Sequence, residues 1–290
     1  MALGVNQMTI TTGAVFVPEL WSNRTLDAVE ANLVMANLVD RYDDEFSQYG
    51  DIVRIPNVSD LSVNTKSANA QVTLNAVTEV DTTLTVDQHK ECSFVIEDIL
   101  KIQSKYNLRD KYTNKAGYAI GKNVDAALHG LYAGLSQNVG GDNLFTKGLL
   151  LQAIQKLDDA DAPEINRYLV IKPVSKANML NLDDFTRYDA LGEAGRGNPI
   201  RTGKLGDYFG IEVYISTQTI QVAGTPPVVH NLLFQKEAFG LAMQQSPRVQ
   251  AQYVLEYLGT LVVTNVLYGF GEIRDTFAVD VRTNATSPAI

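Results

Sequence analysis

Apolar side chains recur every three or four residues between positions 97 and 136, in a stretch that contains no proline. They are Leu108, Tyr112, Ala116, Ala119, Ile120, Val124, Ala127, Leu128, Leu131 and Leu135. This spacing predicts a single amphipathic helix of about seven turns. With about 32 helical residues at 1.5 Å each, the helix would be ~50 Å long, which exceeds the width of a small domain. We therefore expect a long helix against which other elements lie.

Residues 50–96 alternate apolar and polar side chains and are rich in Val and Thr, which predicts β-strands. The polar patch at 65–69, Thr-Lys-Ser-Ala-Asn, is typical of a turn. Together they predict a β-hairpin whose arms each run about 15 residues or more, well past the usual strand. Because an isolated hairpin is marginally stable in water, either the same chain or a neighbouring subunit must cover it. The flanking sequence is helical, which favours a partner molecule.

The first 22 residues, 1–22, are rich in Thr and Val and carry one charged side chain, Glu19. They show no helical period. Such a segment is either a frayed tail or an extended arm that docks on another surface. Phe16 and Trp21 are too apolar for a solvated tail, so we expect an arm.

The remaining regions are a helical lead-in, a mixed module and a strand-rich end. Within residues 23–49, the spacing of apolar side chains predicts a short helix that is capped by Ser22 or Asn23 and ends near Arg41. After a loop at 138–143, residues 139–247 alternate helices and strands, which is typical of a compact α/β module. Its predicted elements are a helix at 145–160, a strand at Tyr168–Ile171, a short helix capped by Ser175, a glycine-rich loop at 191–207, and strands at Ile211–Ile215 and Val228–Phe234. Residues 248–290 return to strand-like runs at Val249–Leu255, Leu261–Tyr268 and Thr276–Val281, followed by a polar tail.

The overall charge narrows the classes of function. The 290 residues carry a formal net charge of -9, and an acidic chain is a poor candidate for wrapping nucleic acid. Cys92 is the only cysteine, so no intrachain disulfide exists and a reducing compartment is expected. The N-terminus does not have the pattern of a signal peptide, and the apolar run Tyr257–Phe270 is too short and interrupted to span a bilayer. We expect a soluble intracellular protein.

No motif in the chain predicts a catalytic, cofactor or metal site. The segment Gly197–Lys204 resembles a phosphate-binding loop but has the wrong glycine spacing, and Leu205 stands where Ser or Thr should bind magnesium. The three histidines, His89, His129 and His230, are isolated in sequence from partners for metal binding or general-base chemistry. We therefore expect no enzymatic activity and no cofactor.

Two smaller patterns have competing interpretations. Asp158, Asp159 and Asp161 form an acidic cluster, which we interpret as a solvated helix end, since calcium loops need further oxygen ligands at set spacing. Glycines repeat at four-residue intervals on the long helix, as Gly117 with Gly121 and Gly130 with Gly134. They mark either a groove where another backbone lies close or simply exposed positions that tolerate glycine.

The order of elements and several local stretches resemble the major capsid proteins of tailed bacteriophages, which share the HK97-type fold. The stretches are Glu30-Ala-Asn-Leu-Val-Met-Ala-Asn, Gly50-Asp-Ile-Val-Arg-Ile-Pro, Tyr118-Ala-Ile-Gly-Lys-Asn-Val-Asp and Tyr268-Gly-Phe-Gly-Glu-Ile-Arg. The resemblance implies an α+β fold that covers nearly the whole chain. Its parts would be an N-terminal arm (1–22), a lead-in of the peripheral (P) domain (23–49), a long β-hairpin called the E-loop (50–96), the spine helix of the P-domain (97–138), an α/β axial (A) domain (139–247) and returning P-domain strands with a C-terminal tail (248–290).

The same resemblance implies a structural function. Subunits of this family assemble as hexamers and pentamers into an icosahedral virion shell around double-stranded DNA, inside the host bacterial cytoplasm. It implies a separate scaffolding protein, a portal and a decoration protein as partners, DNA held without sequence-specific binding, and no membrane. Two alternatives stay open: an encapsulin-like nanocompartment shell, and an α/β enzyme that uses residues 139–247 with the hairpin as a dimerisation arm.

Overall fold

The computed structural model describes residues 34–46, 50–58, 61–75, 77, 79–99, 108–141, 143–182 and 207–286. All of them belong to a unit that spans Ala31–Ile290. The predicted N-terminal arm (1–22), the start of the predicted first helix (23–33), the phosphate-loop look-alike (197–204) and nearly all of the glycine-rich loop (191–207) lie outside the described residues.

Strands dominate the described residues. The strands are β1 (Asp40–Arg41), β2 (Ile52–Val58), β3 (Glu79–Thr85), β4 (Gln88–Glu97), β5 (Asn138–Gly140), β6 (Arg167–Ile171), β7 (Asp207–Tyr208), β8 (Ile211–Ile215), β9 (Gln221–Val222), β10 (Val228–Gln235), β11 (Phe239–Val254), β12 (Gly259–Glu272) and β13 (Ala278–Asn284). The α-helices with described bounds are α1 (Leu108–His129), α2 (Lys147–Asp159) and α3 (Pro173–Leu180). The fold class is therefore α+β, as predicted.

A four-stranded sheet, in the order β1-β11-β12-β4, supports helix α1. Strands β11, β12 and β4 pair antiparallel, and β1 adds two residues in parallel to β11. Helix α1 packs against β12 and β4. It buries Ala116, Ile120 and Val124, which recur at the four-residue interval of one helix face.

A second, seven-stranded sheet shares the main hydrophobic core with the four-stranded sheet and α1. Six strands follow the order β5-β13-β10-β6-β8-β7, and β9 also pairs with β10. β10 is buried along almost its whole length, because it has neighbours on both edges and packed layers above and below. Helix α2 contacts β5 and β13 and buries Leu149, Leu150, Ala153 and Leu157. Its N-cap is Thr146, whose hydroxyl accepts a hydrogen bond from the Leu149 N–H at 3.3 Å.

A third, two-stranded sheet is the ribbon, which we define as residues 50–86. β2 and β3 pair antiparallel, from Ile52 opposite Thr85 to Val58 opposite Glu79. The paired region has seven residues on each strand. The chain leaves the ribbon at 86–87, and β4 pairs with β12 of the four-stranded sheet instead.

The structure differs from the sequence predictions at several places. The predicted first helix does not run to Arg41, because Met35–Asn37 form a 3-10 turn and Asp40–Arg41 form strand β1. Glu97, where we expected the long helix to begin, is the last residue of β4 and pairs with Gly259, and the next two residues, Asp98 and Ile99, are helical. The described α1 has 22 residues, about 33 Å at 1.5 Å per residue, and continues as a 3-10 turn through Ala133. The predicted second hairpin arm is divided between the ribbon and the four-stranded sheet. Ser175 is not the cap of α3: the helix begins at Pro173, which lacks the N–H that a cap would satisfy.

A further difference concerns β13, which we expected among the strands that return to the long helix. It pairs instead with β10 and β5 in the seven-stranded sheet. Likewise β11 begins at Phe239, before the predicted boundary at residue 247. An apolar strand pattern shows that a strand is buried but does not identify the sheet it joins.

Candidate interaction surface

The ribbon tip, which we define as the described residues of 61–77, is a turn held by side-chain hydrogen bonds. The Ala70 N–H donates to the Ser67 carbonyl at 3.3 Å, and Asn69 takes the left-handed conformation with φ 61°. Asn tolerates this conformation better than most residues because its short polar side chain bonds locally. The turn predicted at residues 65–69 is confirmed.

Amide and hydroxyl groups join the two arms behind that turn. Asn64 Nδ2 donates to Asn75 Oδ1 at 2.6 Å, and Ser62 Oγ donates to the same oxygen at 3.1 Å. Asn75 Nδ2 donates in return to the Ser62 carbonyl. These bonds keep the arms together beyond the last ladder pair of β2 and β3, where regular pairing has ended.

Apolar side chains on the ribbon tip project into solvent. Val63 is 99% exposed and Leu74 is 87% exposed, which is extreme for large apolar side chains. Leu61, Val72 and Val77 are also exposed. Such a set in one short segment is typical of a surface that another molecule covers.

The base of the ribbon is fixed firmly to its own subunit. Leu84 and Val86 are buried in a small cluster with Ala242 of β11. The Val86 N–H donates to the Asp51 carbonyl at 2.8 Å. Gly269 of β12 lies against the backbone of Thr85, so a Cβ at this position would collide with the Thr85 carbonyl. The ribbon is therefore anchored at one end and uncovered at the other.

The far end of the four-stranded sheet is a second exposed apolar region. Leu255, Tyr257 and Leu258, at the connection between β11 and β12, are each more than 60% exposed. Tyr253 nearby donates its hydroxyl to Asp98 Oδ2 at 2.9 Å, and this hydrogen bond raises the pKa of the Tyr253 phenol.

His129 lies in a buried polar cluster, although the sequence did not assign it a partner. Its Nε2 is 3.6 Å from Asp125 Oδ2 and 3.3 Å from Ser216 Oγ. Asp125 Oδ1 accepts hydrogen bonds from the backbone N–H groups of Val34 and Met35. The cluster therefore joins α1, the end of β8 and the chain before β1. The spacing of Asp125 and His129, four residues apart on a helix, was a visible signal that sequence reasoning missed.

His230 lies in a second buried cluster, within the seven-stranded sheet. Its Nδ1 is 2.8 Å from Asp280 Oδ2, and Arg282 Nε donates to the same oxygen at 2.8 Å. The Tyr132 ring packs against the imidazole with the ring centres 4.0 Å apart. These groups come together only through the pairing of β10 with β13, so no sequence signal could have found them. Asp280 and His230 are both buried, which favours a structural contribution over a reactive one.

The other polar positions singled out in the sequence do not converge. Asp158 forms an ion pair with the buried Arg167 at 2.7 Å, while Asp159 is exposed at the end of α2. His89 is exposed on β4, with Asn265 as its neighbour at 3.5 Å. Across the described ranges, no group of three or more His, Cys, Asp or Glu side chains is arranged to bind a metal ion. Nor does any helix in the described part of the chain have the length and apolar character needed to cross a membrane.

Glu272 lies where the two sheets are connected. Its carboxylate occupies the space beside Gly134, so a Cβ at Gly134 would collide with it. Burial raises the pKa of the Glu272 carboxyl, and the negative charge of Asp275 raises it further. Asp275 in turn accepts a hydrogen bond from the Ser136 N–H at 2.9 Å. The carboxylates of Glu272 and Asp275 thus lie near each other. They are located where the connection from α1 to β5 passes the connection from β12 to β13.

Comparison with known proteins gives matches among solved structures alone. No protein-family model matches the chain. No curated protein matches it either. A solved structure from Mycobacterium phage Che8 superposes with a TM-score of 0.80 and 24% identity, covering 94% of this chain and 98% of that one. The capsid of cyanophage P-SCSP1u gives a TM-score of 0.78 and 18% identity, covering 99% and 97%. The mature capsid of bacteriophage PhiM1 gives 0.73 and 12%, covering 92% of each chain.

These matches extend over almost all of both chains, so the likeness concerns the whole architecture and not one shared motif. Identity is low throughout, which is the pattern of a conserved backbone arrangement carried by different side chains. The α+β fold of this chain, with its ribbon, long helix and two sheets, is the fold found in phage capsid structures, as the resemblance in sequence predicted.

Proposed function

We propose that this chain is the major capsid protein of a tailed bacteriophage. Its copies assemble as hexamers and pentamers into an icosahedral shell that encloses double-stranded DNA, and the assembled protein is located in the virion. Assembly takes place in the bacterial cytoplasm with a separate scaffolding protein, a portal and a decoration protein. The chain acts as a structural protein, without enzymatic activity or cofactor.

The observation that carries this proposal is the ribbon tip. The ribbon is packed against its own subunit at its base, yet Val63 and Leu74 at its tip contact solvent. At ~25 cal/mol per Å2 of apolar surface, covering these side chains is favourable by an amount that grows with each residue buried. A neighbouring copy that covers the tip would supply this term at every subunit of a shell.

Because every subunit of a shell makes the same set of contacts, weak individual contacts are sufficient to hold the shell together. A subunit that contacts neighbours through the ribbon tip, the exposed end at Leu255–Leu258 and the N-terminal segment is held by several interfaces at once. Multivalent attachment converts modest individual affinities into a stable assembly. This supports a shell and not an isolated dimer.

We also propose the domain division that the resemblance implies: arm 1–22, lead-in 23–49, E-loop 50–96, spine helix 97–138, A-domain 139–247 and returning strands 248–290. Pairing in the described residues supports two adjustments. β4 is grouped with the sheet under the spine helix, and β13 is grouped with the A-domain sheet.

Electron microscopy and sedimentation of the expressed full chain, with and without a scaffolding protein, test the proposed function. We expect shells, capsomers or sheets from the unaltered protein. The double variant Val63→Asp, Leu74→Asp should remain folded but lose assembly, because burial of two carboxylates at an interface is costly. The matched control is Ile165→Asp, Leu151→Asp, which introduces two carboxylates at apolar positions outside the ribbon that are 74% and 44% exposed, and it should assemble.

A protein that stays monomeric or dimeric under all of these conditions would contradict the proposal. So would a ribbon-tip double variant that assembles as well as the Ile165→Asp, Leu151→Asp control. Circular dichroism of each variant confirms that lost assembly is not lost folding.

A further inference from the structure

One edge of the four-stranded sheet is almost unpaired. In the order β1-β11-β12-β4, strand β1 pairs with β11 only at Gly240 and Leu241. Beyond these two positions, no other strand in the described part of the chain pairs with this edge of β11. Residues 246–253 are all exposed, and since successive side chains point to opposite faces, the exposure extends to both faces of the strand. We call residues 249–254 the open edge.

The open edge lacks the side chains that usually discourage pairing between sheet edges. Its sequence, Val-Gln-Ala-Gln-Tyr-Val, contains no charge and no proline. Strand β4, at the opposite edge of the same sheet, carries Lys90, Glu91 and Glu97. Charges on an edge strand oppose pairing with another chain, whereas an uncharged strand with Val and Tyr favours it. The open edge is therefore the side of this sheet at which a further strand can add.

The chain before the open edge limits where such a strand can pair. The register of β11 against β12 shifts between Met243 and Gln245, and again between Gln245 and Arg248. Pro247, inside this irregular stretch, has no backbone N–H to donate. Regular pairing with β12 runs from Arg248 to Val254. An added strand can therefore pair regularly along these seven residues.

The sequence of the open edge is complementary to itself when two copies run antiparallel about Ala251. Val249 of one copy then lies opposite Tyr253 of the other, and Gln250 lies opposite Gln252. An aromatic side chain beside a β-branched one is a favourable cross-strand pair. Two facing amides can exchange hydrogen bonds, because each has both donors and an acceptor. This complementarity identifies a second copy of the same strand as the partner.

The charges of the segment are compatible with this arrangement. Arg248 is the only charged side chain between positions 248 and 254. It lies opposite Val254 of the other copy, so the two arginines are six positions apart along the strands, ~20 Å at about 3.4 Å per residue. This separation exceeds the Debye length of about 8 Å at physiological salt, so their repulsion is largely screened.

We propose that the open edge pairs antiparallel with the open edge of a second copy, about a two-fold axis that passes through Ala251. Such an axis is perpendicular to the sheet, so the two four-stranded sheets become one continuous sheet with both α1 helices on the same face. A closed shell needs every subunit to turn the same face inward, and this pairing meets that need. The inference deepens the proposed function and rests on it for the presence of many copies.

Disulfide trapping of the full chain tests the pairing. The background is Cys92→Ala, which removes the only native cysteine, and the test variant adds Ala251→Cys at the axis. Directly opposed residues of an antiparallel pair have Cα atoms about 4.5–5.5 Å apart, within the range of about 4.4–6.8 Å that a disulfide spans. The matched control is Val249→Cys, whose two copies are four positions apart, ~14 Å along the strands.

We expect oxidation of the Ala251→Cys variant to give at least about tenfold more cross-linked dimer than the Val249→Cys control, because the control thiols are out of reach of each other. A mixture of Val249→Cys and Tyr253→Cys proteins should cross-link, since these positions lie opposite each other in the proposed register. Non-reducing gel electrophoresis measures the dimer in each case.

Charge variants at the two glutamines test the register without cysteine. Gln250→Lys, Gln252→Lys places like charges opposite each other twice in each pair and should weaken self-association about tenfold. Gln250→Lys, Gln252→Glu places opposite charges together and should associate at least as well as the parent protein. Mixing the first variant with Gln250→Glu, Gln252→Glu should restore association. Sedimentation velocity measures these differences.

Shells that form without cross-linking at position 251 would overturn this inference and leave the proposed function standing. Cross-linked dimers from a protein that forms no shells would support the inference and contradict the proposed function. If Ala251→Cys cross-links to Leu74→Cys of another copy and not to itself, the ribbon tip occupies the open edge and the inference is wrong. It is also wrong if the variant with opposite charges associates no better than the variant with like charges.

Discussion

The carboxylate of Asp125 accepts a hydrogen bond from the backbone N–H of Met35 at 2.7 Å, across 90 positions of the chain. The same oxygen accepts a second bond from Val34 at 3.1 Å. Asp125 is fully buried and Met35 is fully buried, so this contact is closed to solvent. One side chain of α1 therefore fixes where the chain that follows the N-terminal segment enters the fold.

Replacement of Asp125 should release this attachment. We expect Asp125→Ala to reduce the free energy of unfolding by about 3 kcal/mol, because two backbone donors and His129 lose a buried partner. Urea denaturation measures this loss, and native-state hydrogen exchange at the Val34 and Met35 amides should show loss of protection. Asp159→Ala, at an exposed carboxylate on α2, should change stability by less than about 0.5 kcal/mol. Unchanged exchange at Val34 and Met35 in the Asp125 variant would refute the attachment.

The carboxyl of Glu272 should make stability depend on pH. Its pKa in the folded state is raised above the ordinary value of 4.5, so the folded state favours the protonated form. The resulting stabilisation is fully present below the unfolded pKa and is lost as pH rises through the folded pKa. We expect Glu272→Gln to be more stable than the parent protein at neutral pH and to lose this advantage in acid.

Thermal denaturation between pH 4 and pH 8 checks the Glu272 prediction. Glu256→Gln, on the exposed turn after β11, removes the same charge and serves as the control. A Glu272 variant whose difference from the parent stays constant across this range would show that the carboxyl does not titrate as proposed.

Replacement of glycine by alanine should have opposite effects on stability at open and at crowded positions. Gly117 on α1 has open space where a Cβ would be, so Gly117→Ala should stabilise the isolated subunit by about 0.5–1 kcal/mol through helix propensity. Gly130 has the same open space in the 3-10 turn after α1, so Gly130→Ala should not destabilise the subunit. Gly269→Ala should lower the free energy of unfolding by about 2–3 kcal/mol. Its Cβ would collide with the backbone of Thr85, which cannot change rotamer as a side chain could.

Chemical denaturation of the three alanine variants gives these signs directly. The same variants decide between the two interpretations of the helix glycines. If Gly117→Ala stabilises the subunit but prevents shell formation, a neighbouring backbone lies in the groove. If it stabilises the subunit and assembly proceeds, the glycine is a tolerated exposed residue.

The sequence predicted most of the local elements because periodicity reports which side of each element faces the core. The four-residue spacing of Ala116, Ile120 and Val124 is the buried face of α1, and the turn near Asn69 was visible from composition. The break between β3 and β4 was not visible, because the alternation of apolar and polar residues continues through it. Val86 enters the cluster beneath the ribbon, while Cys92 pairs with Thr264 of β12, over 170 residues away.

The sequence by itself determined the α+β class, the buried face of the long helix, the turn of the ribbon and the resemblance to capsid proteins. Only the tertiary structure decided which sheet each strand joins, that His230 meets Asp280, and that the tip at Val63 stays uncovered while its base is buried. The physical reason is that a side-chain pattern records whether a residue is buried but not what buries it. Partners that lie far apart in the chain are chosen by packing and pairing of whole elements, which no local pattern encodes.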